Sequence, residues 1–142
     1  MSKFNIKRAF LAHLLSNLPT GITVNDIAFD NRKFEPANKK AWLAVYFLGG
    51  DSDPLGKTNQ DFNDERGFFQ ISVFIELNAD NFDDTQIQII DQLEAAFSYN
   101  TELVYNDQKV YIESIETTAG TESEAWFQRE LTFNYFSLSE RG

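Results

Sequence analysis

Two apolar segments and the polar run between them constrain this chain more than anything else in it. Residues 42–48 read Trp-Leu-Ala-Val-Tyr-Phe-Leu, apolar at every position and suited to a strand covered on both faces. In residues 69–77, Phe69, Ile71, Val73, Ile75 and Leu77 alternate with Gln70, Ser72 and Glu76, the signature of a half-buried strand. Between them, residues 49–66 are mostly polar residues and Gly, Asp and Asn above all, with little apolar content, Leu55 and Phe62 being the exceptions. That is long for a hairpin loop, and long loops without structure of their own are usually functional or disordered. The segment reads as a mobile hairpin arm, with Asp51, Asp53, Leu55, Lys57, Asp61, Phe62, Asp64, Glu65 and Arg66 as candidate assembly residues.

The flanking segments supply helices and further strands. Ile6, Phe10, Leu11, Leu14, Leu15 and Leu18 recur at spacings of three and four, which predicts an amphipathic helix with Ser2 as its N-cap and Pro19-Thr20-Gly21 as its stop. Ile22, Val24, Ile27 and Phe29 suggest a short strand, and the polar run 30–40 a surface connection. A second helix opens at Asp83, with Gln86 placed as in a capping box, and buries Ile89, Ile90, Leu93, Ala96 and Phe97. Strands over 110–118 and 126–138 close the chain. The first follows a turn at Asn106-Asp107, and the second places Phe127, Leu131, Phe133 and Tyr135 on one side.

Helix, strands, helix, strands in that order predicts an α+β fold: a mostly antiparallel sheet with two main helices on one face. The 142 residues suit a single domain, and hydrophobic residues at 42% with 14 Phe are enough for one sizeable core. A strand that is apolar on both faces needs cover on its second face too, and in so small a chain another subunit is a natural source.

Charge and composition exclude several functions. With 22 acidic residues against 12 basic ones the formal net charge is −10, which repels phosphate backbones and anionic membrane surfaces. There is no cysteine, so disulfides, thiolate catalysis and cysteine-ligated metals are ruled out. No signal-peptide core follows the charged start, and no apolar run reaches membrane-spanning length, so the expected site of synthesis and folding is the cytoplasm.

Catalytic constellations are missing as well. The one histidine, His13, sits in the first helix without a GxSxG elbow, and a lone helical histidine is far more often a boundary residue than a base. Asp51-Ser52-Asp53-Pro54-Leu55-Gly56 begins like a calcium loop, but Leu55 offers no oxygen at the fifth position and Phe62 replaces the glutamate at the twelfth. Gly49-Gly50 is followed by acids and not by a phosphate-binding GK[ST]. No catalytic residue, metal or cofactor is expected. Aromatic residues at 15% fill cores by default and are also enriched at subunit interfaces.

An ordered set of elements carries a resemblance: Phe34-Glu35-Pro36 before the Trp42-Leu43 strand, the loop from Gly49-Gly50 to Leu55-Gly56, and the run from Arg66 to Phe74. The helix with Ile90-Asp91-Gln92-Leu93 and the last strand opening Trp126-Phe127-Gln128 complete it. This layout resembles the tail terminators and minor tail proteins of long-tailed bacteriophages over nearly the whole chain. The resemblance implies a structural, non-enzymatic virion protein that forms a hexameric ring, caps the tail tube and offers a surface for head–tail joining. It implies sheets packed edge-on between subunits and an arm, here residues 49–66, that orders on contact with the tube. The implied partners are other copies of the chain, the tail tube protein and head–tail connector proteins, at the head-proximal end of the virion tail. DNA would pass through the lumen without being specifically bound, and no membrane is involved. Acids are then expected to outnumber bases on the lumen, with Asp51, Asp53, Asp61, Asp64 and Glu65 contributing. A neck or head–tail connector subunit is the alternative, and a small-ligand-binding or enzymatic α+β domain the distant one.

Overall fold

Alternating hydrophobicity and helical periodicity both find their counterparts in a computed structural model of the chain. It describes residues 3–30, 32–55, 62–77, 82–98, 101–106 and 108–140, with backbone alone at 49–55, 62–64, 123 and 138–140. The elements run α1 (Lys3–Ser16), a 3₁₀ turn (Val24–Asp26), β1 (Ile27–Phe29), β2 (Ala41–Leu55), β3 (Phe62–Glu76), α2 (Asp84–Ala96), β4 (Glu102–Tyr105), β5 (Gln108–Thr117), β6 (Thr121–Ser123) and β7 (Trp126–Glu140).

One sheet holds all the strands in the order β1-β2-β3-β7-β5-β4, with β6 paired to β7. Every pairing is antiparallel except β1 with β2. The fold is therefore α+β and mostly antiparallel. Its core lies on the odd-numbered face of the long strands. Leu43 and Val45 of β2, Phe69, Ile71 and Val73 of β3, and Leu131, Phe133 and Tyr135 of β7 form one buried cluster with Ile6, Phe10 and Leu14 of α1 and Ile89 and Leu93 of α2. Helix α1 lies over β2, β4 and β5, and α2 over β3.

Several local expectations change. The stretch 22–29 is a strand only from Ile27; before it, where the 3₁₀ turn starts, the Thr23 N–H and hydroxyl both donate to Asp26 Oδ2, at 2.9 and 3.2 Å. Leu15, placed by periodicity on the buried stripe, is exposed, and Ala9 is buried in α1. Helix α2 lacks a capping box, because Asp83 makes no side-chain cap bond. Its carboxylate accepts from Arg129 Nη1 at 2.8 Å instead. Gln86 is buried: its Nε2 donates to the carbonyls of Val73 (2.8 Å) and Phe127 (3.1 Å), and its Oε1 accepts from Arg129 (2.7 Å). Ser2, the expected first cap, lies outside the described residues. At Gly21, φ is +86°, a conformation that glycine adopts without strain and that turns the chain after α1.

Candidate assembly surface

The polar run 49–66 is largely strand. Its backbone pairs across β2 and β3 from Gly49↔Phe68 to Leu55↔Phe62. The far end of β7 adds a third strand to it, from Phe62↔Glu140 to Gly67↔Tyr135. Gly, Asp, Asn and Pro are poor strand formers, but their preference yields to context, and a third strand supplies the ladder that a lone hairpin lacks. Irregularities of register fall at Leu48 on β2 and Glu113 on β5, both beside the root of this extension. Such bulges bend and twist a strand.

Asp51, Asp53 and Leu55 stand on β2 opposite Arg66, Asp64 and Phe62 of β3. Lys57 and Asp61 lie outside the described residues. Glu65 departs from its expected place on an open acidic surface, being 2% exposed. Two steps of alternation back from Phe69 put it on the helix-covered face, where Lys3 of α1 stands 3.7 Å away and Tyr135 Oη 3.5 Å away. Burial, then the Glu65 charge, pushes the Tyr135 phenol well above its usual range. Gln108 and Ser137 are buried beside this pair of strands too, with Gln108 Nε2 donating to Ser137 Oγ and Ser137 Oγ to the Lys109 carbonyl. A polar layer thus closes the apolar core at the point where the arm begins. On the other face Arg66 pairs with Glu113 at 2.5 Å and lies over the Phe136 ring.

The second face of the sheet is covered at one end by the chain itself. Trp42 stacks on Phe74 with centroids 4.0 Å apart, and Phe34 and Trp126 close around it. Further along, Tyr46 and Phe68 are exposed among Gln70, Thr132 and Asn134.

A groove of about 400 Å³ runs between α1 and the β1–β2 edge. Its floor is apolar, with Phe10 and Leu11 of α1, Val45 and Phe47 of β2, and the exposed Phe4 and Leu15 on its wall. Lys7, Arg8 and Arg32 are its bases and Asp30 its acid. Nothing in the helical periodicity announced it, because Leu11 and Leu15 belong to the same stripe as the core residues. His13 serves packing: Nε2 meets the Ala96 carbonyl at 2.6 Å, tying α1 to the end of α2. Among the described residues no group of three or more His, Cys, Asp or Glu is placed to hold a metal ion. No helix among them is long and apolar enough to cross a membrane.

The model of the phage tail terminator protein family matches residues 5–135, from the first turn of α1 to Tyr135 of β7. The chain belongs to that family. The family is one of structural virion proteins of the phage tail and not of enzymes. No curated protein matches it. Among the solved structures that share the terminator's fold are two that match it nearly end to end. One is 21% identical, superposes over 100% of this chain and 99% of its own, and gives a TM-score of 0.70. The other is a chain of the virion of a native gene transfer agent particle, 12% identical over 96% of each chain, with a TM-score of 0.59.

Proposed function

We propose that this terminator assembles as a ring on the end of the tail tube, stops the tube from growing and presents the surface to which the head joins. The observation that carries the reading is the arm: β2, β3 and β7 run on together past the polar layer at Glu65 and Ser137. Strands that leave their own core offer a long edge to another chain. The exposed Tyr46 and Phe68 beside the arm root add apolar contact area. The net charge of −10 per subunit suits a ring that DNA traverses, since like charge keeps phosphates from being held.

Growing tail tubes test the reading. Purified terminator added to tubes supplied with fresh tube protein should arrest elongation, and electron micrographs should show an added ring at one tube end. Tubes that lengthen unchecked at saturating terminator would refute it. Binding to head vertices without binding to tubes would instead identify a connector.

A further inference from the structure

We propose that the groove between α1 and the β1–β2 edge receives the acidic hairpin arm of a second copy of this chain. The inference rests on the ring reading and names the contact that would link one subunit to the next.

Three observations meet here. The groove has an apolar floor built on Phe10, Leu11 and Phe47 and leaves Phe4 and Leu15 exposed. Its rim concentrates Lys7, Arg8 and Arg32 in a chain whose acids outnumber its bases by 22 to 12. Among the described residues none of the three bases forms an ion pair. Arg8 rests over the Phe4 ring, 5.4 Å from its centroid. Asp30, the one acid among the described lining residues, leaves the rim positive overall.

The arm has the opposite composition. From Asp51 to Asp64 it carries Asp51, Asp53, Asp61 and Asp64 against Lys57, with Leu55 and Phe62 as its apolar residues. Two apolar side chains bracketed by carboxylates match an apolar floor bracketed by bases, and charge of this kind sets register and partner choice.

The described part of the chain's own arm leads away from its own groove. Phe47 lines the groove, and β2 continues from there as paired strand to Leu55. At about 3.3 Å per residue, the eight steps carry Leu55 about 26 Å away. Arm and groove are therefore different patches of one molecule, and joining them between copies is a head-to-tail contact. Contacts of this type generate rings when the rotation closes. The arm acids would then face a neighbour's bases and not the lumen.

The absence of cysteine allows a direct test in the full chain. Leu55→Cys marks the arm, and Leu15→Cys, at a position 43% exposed, marks the groove. A short bismaleimide should join the two variants when mixed and leave each largely unjoined alone. A Leu15→Cys, Leu55→Cys double variant should give a ladder of multimers, because a head-to-tail contact continues where a two-fold one stops at the dimer. Arg8→Glu with Arg32→Glu should lower the mixed yield about tenfold, equivalent to about 1.4 kcal/mol. Adding Asp51→Lys and Asp53→Lys to the arm partner should restore it. Circular dichroism confirms that each variant is folded. Equal joining of Leu55→Cys to Val104→Cys, an exposed site on β4, would overturn the inference. So would rings that form unaffected by the charge reversal, or joining of Leu15→Cys to tube protein in place of the arm. In those cases the ring reading stands. A chain that neither self-associates nor binds tubes removes both.

Discussion

The ring of Phe10 lies flat against that of Phe69, with centroids 3.9 Å apart and planes inclined by 12°. Phe97 and Phe133 close on the same Phe10 ring at 5.0 and 6.0 Å, so one side chain of α1 joins β3, β7 and the end of α2. Phe10→Ala should therefore cost about 3–5 kcal/mol, the range for emptying a buried aromatic site. That is a large part of the ~5–15 kcal/mol available to a domain. Leu15→Ala, on the same helix but exposed to the groove, should change stability by less than about 0.5 kcal/mol. Urea unfolding of the two variants side by side measures the contrast; similar losses would mean that α1 is placed differently.

Gln86 holds α2 to the sheet through polar bonds inside the core, serving Val73, Phe127 and Arg129 at once. Gln86→Leu keeps the volume and removes every bond, leaving buried acceptors and a guanidinium short of partners. The expected loss is about 1–3 kcal/mol. Equilibrium denaturation reads it directly, and a neutral result would show that water satisfies these groups equally well.

How much of this was legible in the sequence differs from element to element. Alternation over Phe69, Ile71, Val73 and Ile75 gave strand, face and core together, because burial of one face leaves little else to decide. Strands β4 and β6, at Glu102–Tyr105 and Thr121–Ser123, are too short to show a period, and their pairing to β5 and β7 is what makes them strands. The Asp83–Gln86 spacing suggested a cap, but Arg129, far along the chain on β7, binds both residues and takes them from that role. Glu65 looked like one more solvated acid, although stepping back by twos from Phe69 would have put it on the buried face. The groove needed the third dimension: Leu11 and Leu15 lie on the core stripe by spacing, and only the short β1 edge leaves them partly uncovered.

Acid should loosen the attachment of α2. The Arg129 hydrogen bond holds the Asp83 carboxyl below its usual range, against a smaller opposing effect of desolvation. A lowered carboxylate pKa adds stability that is present above the unfolded value, about 3.9, and is lost as pH falls through the folded one. Asp83→Asn should thus be less stable than the natural chain at pH 7, and the gap should narrow as pH drops below about 4. Unfolding midpoints at pH 7, 5 and 3 follow the gap; a difference that is constant with pH would point to a loss of packing.

Removing the arm should separate assembly from folding. The polar layer at Glu65, Gln108 and Ser137 marks the end of the apolar core, and the described members of that core on β2 and β3 lie at or before Val45 and at or after Phe69. Asp53 and Asp64 face one another in register, so residues 54–63 can be replaced by Asn-Gly, the sequence that closes a two-residue hairpin with the right twist. The shortened chain keeps the buried cluster, both helices and the pairing of β2 with β3 up to that point. Its melting temperature should fall by less than about 4 °C, the shift that ~1 kcal/mol produces in a domain of this size. It should nevertheless fail to form rings and to arrest tube growth, because the segment removed carries Leu55 and Phe62, the apolar residues of the arm that a partner would meet. Calorimetry and electron microscopy of the same preparation give both answers. A stable, arm-less chain that still caps tubes would move the assembly contact to the open face around Tyr46 and Phe68, where Phe68→Ser becomes the next variant to make.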